Sequence, residues 1–297
     1  MLIPLLFAIT GGLVLIILGL GYKHASVVKS RAGAYGSIFM GIAFLVGIGR
    51  SFFEQSDWGD WRLWAIGLAM SLIFISCIGL YTWANQVGSV STGWVIVNLS
   101  CIMAIVLSVT FLPDEHFLWL DLLIIAFFIG MILALNAGMK EDTKTTQAKI
   151  HPLFWPAILS VFALNGVYLF LMKIKDMHFK TGNDGALLAI CFGVAGVMMA
   201  FYHVIACRRR GEIPWRREDI IAGTLAGVGA GAGNILLLKG MSLPAVVVYP
   251  ICQGIPMIGG VIAMALLYRE RFNLAKVISL FLALATLFLA IFREKLI

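Results

Sequence analysis

Ten long apolar runs, separated by short polar breaks, occupy almost the whole of this chain. They fall at about 2–22, 32–49, 63–84, 92–112, 119–138, 152–172, 185–207, 219–238, 244–267 and 272–292. Each approaches the roughly 20 residues that a helix needs to cross the hydrocarbon core of a bilayer. In lipid, backbone polar groups must be satisfied by helices or closed barrels, and runs this long and continuous predict helices. Composition points the same way. Hydrophobic residues make up 61% of the chain and charged ones 12%, with a mean hydropathy of +0.98. A soluble domain is nearer 45–50% apolar and about 25% charged. The expected fold class is an all-α membrane protein of ten transmembrane helices, multi-pass in a plasma or bacterial inner membrane. The first run starts almost at Met1, with no basic residue before it and no convincing cleavage site after it, so a retained helix is expected rather than a signal peptide.

The runs fall into two similar sets. Ser89–Leu135 aligns with Pro244–Ala290, and each copy reads as a hairpin, a long apolar span, Glu-x-Phe and another apolar span. The tripeptide is Glu115-His116-Phe117 in one copy and Glu270-Arg271-Phe272 in the other. A unit with an odd number of spans, duplicated in tandem, must insert its second copy upside down. The expected organisation is therefore a five-helix repeat over 1–138, a polar linker over 139–151 and an inverted five-helix repeat over 152–297. The linker contains the run Glu141-Asp142-Thr143-Lys144-Thr145-Thr146-Gln147.

The net charge of +7 does not predict a nucleic-acid partner, because the basic residues are spread over short loops. Lys and Arg are more frequent in the loops after the odd-numbered spans. Much of that excess lies in Arg208-Arg209-Arg210 with Arg216-Arg217, and the positive-inside rule then places both termini outside. The cysteines Cys77, Cys101, Cys191, Cys207 and Cys252 lie within or at the ends of apolar spans and form no CxxC pair. Free buried thiols are expected, not a zinc site or a disulfide framework.

No Asp, Glu, Lys or Arg stands at the centre of a predicted span. A charge there costs roughly 2.5–3.5 kcal/mol even on insertion scales, and where present it usually marks an ion or proton path. Neutral polar groups remain. Trp94, Asn98 and Cys101 share one face of span 4, and Tyr249, Gln253 and Pro256 hold the corresponding positions in span 9. An aromatic followed four residues later by an amide, in both copies, suggests paired groups facing a shared cavity. Interfacial anchoring by Trp94 and Tyr249, and interhelical bonding by Asn98 and Gln253, are the competing readings. Asn165 and Tyr168 share a face of span 6 and Asn234 lies in span 8; each could touch solute or a neighbouring helix. Trp83 and Asn85 end span 3 and read as interfacial, as does His203 near Arg208–Arg210. Gly223, Gly227, Gly229, Gly231 and Gly233 form ladders suited to close helix approach, while Pro250 and Pro256 interrupt span 9. Glu115 and Glu270 start helices, where a carboxylate suits the positive end of the dipole.

This layout resembles the drug/metabolite transporter superfamily, and more narrowly its EamA-like members. The hairpin Lys239-Gly240-Met241-Ser242-Leu243-Pro244-Ala245 is similar to that family's small-residue, Pro-Ala hairpin. Leu267-Tyr268-Arg269-Glu270-Arg271-Phe272 is similar to its Gly-Glu-basic-apolar turn. The first half departs from the pattern, with Ser89 in the place of Pro244 and Pro113-Asp114 before Glu115. The resemblance implies a monomer of ten helices around a central cavity, exporting small metabolites by alternating access. It also implies cytoplasmic termini, opposite to the charge count. The small multidrug antiporters resemble one half of this layout and use a first-helix Glu, whereas here the first span offers Thr10, Gly11 and Gly12 at mid-depth.

The expected function is a secondary active transporter of a small neutral or zwitterionic metabolite, with lipid bilayer and small-molecule substrate as partners. No cofactor and no metal are expected, and a coupling ion is left open. A channel or a structural membrane subunit is the alternative. A membrane-embedded enzyme ranks lower, since there is no HExxH, His-rich or paired-Asp motif. The loops leave no room for the nucleotide-binding domain of an ATP-driven pump.

Overall fold

The computed structural model describes residues 2–87, 90–113, 115–142, 151–179, 182–268 and 274–292; for some of these, Trp94 and Asn98 among them, only the backbone is described. Ten α-helices follow one another: α1 (Leu2–Val27), α2 (Ala32–Glu54), α3 (Trp61–Val87), α4 (Val90–Phe111), α5 (Trp119–Asp142), α6 (Phe154–His178), α7 (Asp184–Arg210), α8 (Arg217–Gly240), α9 (Ala245–Tyr268) and α10 (Leu274–Phe292). Six of them, α1, α2, α3, α6, α7 and α8, are long and apolar enough to cross a bilayer. The protein is thus a multi-pass, all-helical membrane protein. Large apolar side chains such as Phe53, Phe201, Leu266 and Phe281 lie exposed on the helices, an unfavourable surface in water and a fitting one in lipid.

Several helices outrun their apolar stretches by a turn or more. Backbone bonding continues past the hydrophobic window wherever side chains can reach water or partners, as in Arg50–Glu54, Lys173–His178 and Arg208–Arg210. α5 runs on through Asp142, so the expected linker begins inside a helix. Most of its remainder, residues 143–150, and the second Glu-x-Phe at Glu270–Phe272 lie outside the described residues.

α8 sits between α1 and α2, and its glycine ladders explain how. Gly223, Gly227 and Gly231 face Ile38, Ile42 and Val46 of α2, while Gly229 and Gly233 face Leu18 and Leu15 of α1. A methyl group at Gly227 would lie 2.6 Å from Ile42 Cβ and from the Phe39 carbonyl oxygen, so any larger residue forces the helices apart. The contact order makes α8 parallel to α2 and antiparallel to α1. On α1, Gly11 and Gly12 pack against α8 and α9 at Leu237 and Ile255. α2 and α7 run antiparallel, with Gly33 beside His203, Gly36 beside Met199 and Gly47 beside Ala189.

The main packing pairs recur five helices along the chain. α1 on α8 corresponds to α6 on α3, α1 on α9 to α6 on α4, and α2 on α8 to α7 on α3. α2 on α7, α4 on α9 and α5 on α10 map onto themselves.

Candidate solute cavity

The two ends of the bundle are fastened differently. At one end, the Arg31 guanidinium bridges α2 to the α7–α8 turn, donating to Glu212 Oε2 (3.0 Å), the Ile213 carbonyl (2.7 Å) and the Pro214 carbonyl (2.8 Å). His203 Nε2 meets the same Pro214 carbonyl at 2.6 Å, and Trp215 Nε1 donates to Ser37 Oγ at 3.1 Å. His203 is thus a buried clasp on a loop. Asp219 takes the Arg216 N–H at 3.1 Å and so caps α8.

At the other end, buried charge joins several elements, some of them far apart in sequence. Glu54, held by Arg50 Nε at 2.7 Å, accepts the Gly185 N–H at 3.0 Å and caps α7 from the end of α2. Lys175 pairs with Asp184. Lys173 Nζ lies 2.8 Å from Glu115 Oε1 and donates to the Met241 and Leu243 carbonyls, both at 2.6 Å. Glu115 Oε2 accepts the Ala245 N–H at 2.9 Å. Both partners are buried. The structural role expected of Glu115 therefore holds, but the helix it caps is α9 rather than its own α5. Asp121 serves α5, taking the Leu118 N–H at 2.7 Å.

Between these ends lies a cavity of about 170 Å³, lined by parts of α1, α2, α3, α4, α6, α8 and α9. An engineered cavity of about 150 Å³ accommodates benzene, which sets the scale of what fits. The lining is displaced toward the Arg31 end, where Tyr22 and Tyr81 stand; Leu169, Leu237 and Cys252 floor it on the Glu115 side. Tyr22, Phe39, Phe74, Tyr81 and Tyr168 give it an aromatic wall, with ring centroids 5.8 Å apart for Phe39–Phe74 and 5.5 Å for Phe74–Tyr168. None of the described residues lining it is charged.

Of the residues singled out in the sequence, Asn165, Tyr168, Asn234 and Gln253 all line this cavity. Asn165 Nδ2 also donates to Ser100 Oγ of α4 at 2.6 Å, so it joins helices and faces the cavity at once. Asn234 Nδ2 donates to the Ala230 carbonyl at 2.8 Å, which turns its oxygen away from the helix backbone. Tyr249 is placed otherwise than expected. It is fully buried, and its hydroxyl donates to the Leu169 carbonyl at 3.1 Å, fastening α9 to α6 beneath the cavity floor. Trp94 and Asn98 fall on α4, but their side chains lie outside the described set, so the expected Trp94/Tyr249 and Asn98/Gln253 pairing is not visible there. Trp83 is partly exposed and lies edge-on to His151, as an interfacial residue would. All five cysteines are free and buried.

Sequence reasoning missed the two buried lysines, because the predicted span ended at residue 172, just short of Lys173. The signal available was the spacing of Lys173 and Lys175 at the end of an otherwise apolar run, with acids at Glu115 and Asp184 near the starts of other helices. It also missed the aromatic wall, since Tyr22, Phe39 and Phe74 sit on different helices with no shared local motif.

No protein-family model matches the chain, and no curated protein matches its sequence. Solved structures do match. One, described only as "Crystal structure of protein", superposes with a TM-score of 0.71 over 97% of this chain and 95% of the other, at 15% sequence identity. That likeness defines a shared helical fold across essentially the whole chain.

Proposed function

We propose that the protein is a secondary active transporter of a small metabolite without net charge, working by alternating access and built from two inverted five-helix repeats. On this reading all ten helices span the membrane and the architecture is EamA-like. The observation that carries the proposal is a cavity between helices of both halves whose described lining is uncharged, biased toward one end of the bundle, with a cross-half ion pair beyond its floor at the other. The antiparallel course of α2 and α7, which are equivalent by the repeat, supports the inversion. So does the recurrence of the packing pairs under a five-helix shift.

The chemistry of the lining suits the task. A mobile barrier must release what it binds, and amides with aromatic faces bind neutral solutes without the strong fixed charge that would trap an ion. The buried ion pair lies off the cavity, at the end where the hairpin Met241–Pro244 enters α9. It can hold that end shut while the Arg31 end opens. Export, by the same resemblance, is the proposed direction.

The test is reconstitution. Purified protein in liposomes should support counterflow of a radiolabelled neutral metabolite, saturably and only when unlabelled solute is trapped inside. Absence of solute flux across panels of heterocycles, amino acids, sugars and polyols would leave a channel or structural subunit as the reading to pursue.

A further inference from the structure

From the cavity walls we infer the substrate class: a planar, uncharged heterocycle of one or two rings carrying ring N–H donors, the chemistry of a free nucleobase. This rests on the transport reading for its direction of movement, but the binding claim stands on the cavity itself.

Three features lead there. First, the space of about 170 Å³ admits one or two fused six- or five-membered rings and not a nucleoside with its sugar. Second, the wall is aromatic on several helices, and aromatic faces stack on planar heterocycles regardless of sequence or substituent. Third, the polar groups offer acceptors in excess. Asn234 has spent an amide hydrogen on Ala230, and its oxygen has no hydrogen-bond donor among the described residues. Pro256 has no N–H to give the Cys252 carbonyl, and both residues line the cavity. The Tyr168 hydroxyl is buried with no hydrogen-bond partner among the described residues. Gln253, on the same wall, makes no protein hydrogen bond among the described residues, so its carboxamide keeps both a donor and an acceptor. A ligand that satisfies these groups must bring several N–H donors and at least one acceptor on a flat frame. Carboxamides pair two-pronged with such edges, as they do with adenine.

The same walls reject the other neutral solutes. An amino acid would bury a carboxylate and an ammonium against described lining residues none of which is charged. A hexose would bring more hydroxyls around its rim than the few polar groups of the described lining can satisfy, leaving some buried without partners. Simple phenols and indoles would fit, but they cross bilayers unaided and supply one donor where the site offers several acceptors.

Isothermal titration of the purified full chain with uracil and with adenine tests this. We expect saturable one-site binding of at least one of them, weakened at least tenfold by Gln253→Met and by Asn234→Leu, with no binding of uridine or phenylalanine. Thermal unfolding identifies any variant that fails to fold. Gln253→Met, close in volume, carries the comparison if Asn234→Leu does not fold. No binding of either base, or binding unchanged in folded Gln253→Met, overturns the inference. Counterflow with the same bases separates the two proposals. Binding without flux contradicts the transport reading and leaves the site chemistry standing, whereas flux of amino acids without base binding does the reverse.

Discussion

Lys173 Nζ and Glu115 Oε1 lie 2.8 Å apart in a buried pocket, joining α6 of the second half to the α4–α5 connection of the first. Neither charge is left to Coulomb attraction alone. The ammonium also takes the Met241 and Leu243 carbonyls, and the second carboxylate oxygen takes the Ala245 N–H. Removing one partner of such a pair strands a buried charge, at a cost of about 3–5 kcal/mol, whereas removing both costs far less. Lys173→Met should therefore lower the detergent thermal midpoint sharply, and adding Glu115→Gln should restore most of it. Recovery should be incomplete by about 0.5–2 kcal/mol, because the α9 cap is weakened too. Additive losses in the double variant would mean that the two residues do not act as a pair.

Close approach of α8 to α2 makes Gly227 intolerant of any side chain. Gly227→Ala should destabilise by about 1–3 kcal/mol through overpacking. Gly79→Ala is the internal control. Among the described residues, no heavy atom outside its own stretch of helix lies within 4 Å of a methyl group at that position, so helix propensity alone should make it neutral or stabilising by up to about 1 kcal/mol. The two midpoints, measured side by side in one detergent, check both statements.

Tyr249 and Gln253 are one helical turn apart on α9 and should fail differently. Tyr249→Phe removes the hydrogen bond to the Leu169 carbonyl and should cost about 0.5–1.5 kcal/mol of stability, with solute affinity kept. Gln253→Met should lose affinity with stability kept. Thermal unfolding and titration on the same preparations distinguish the two patterns.

Cys207 is buried beside Arg31 and His203, with its sulfur 3.6 Å from Arg31 Nη1. The guanidinium is a planar fork that a lysine cannot replace, because it serves the Ile213 and Pro214 carbonyls and Glu212 together. Arg31→Lys should loosen the α7–α8 turn and raise the rate of Cys207 alkylation severalfold, read by mass spectrometry against buried Cys191 as reference. An unchanged rate would show that the loop is held by other contacts.

Helix number and placement were legible because lipid leaves the backbone few options, and each run of apolar residues maps onto one helix. Helix ends were less so: α6 continues to His178 because Lys173 and Lys175 find acidic partners, Glu115 in the α4–α5 connection and Asp184 at the start of α7, and hydropathy does not see such partners. The glycine ladders gave close packing, and their two faces became α2 and α1. Among candidate site residues, the amides Asn165, Asn234 and Gln253 reached the cavity because a neutral polar group in lipid must face either a partner or a solute. Tyr249 took the other course open to a polar group there: its hydroxyl donates to the Leu169 carbonyl on the neighbouring helix. The aromatic wall depends on tertiary packing among several helices and had no local signature.

In the proposed transport cycle the two ends of the bundle open in alternation around the cavity. Pulsed electron–electron resonance measures this directly, with one spin-label pair at Lys29 and His151 and another at Phe117 and Ser242. Alternating access gives two distance populations at each end, shifting in opposite directions when a transported solute is added. A single distance at both ends, unchanged by a solute that demonstrably binds, would contradict it.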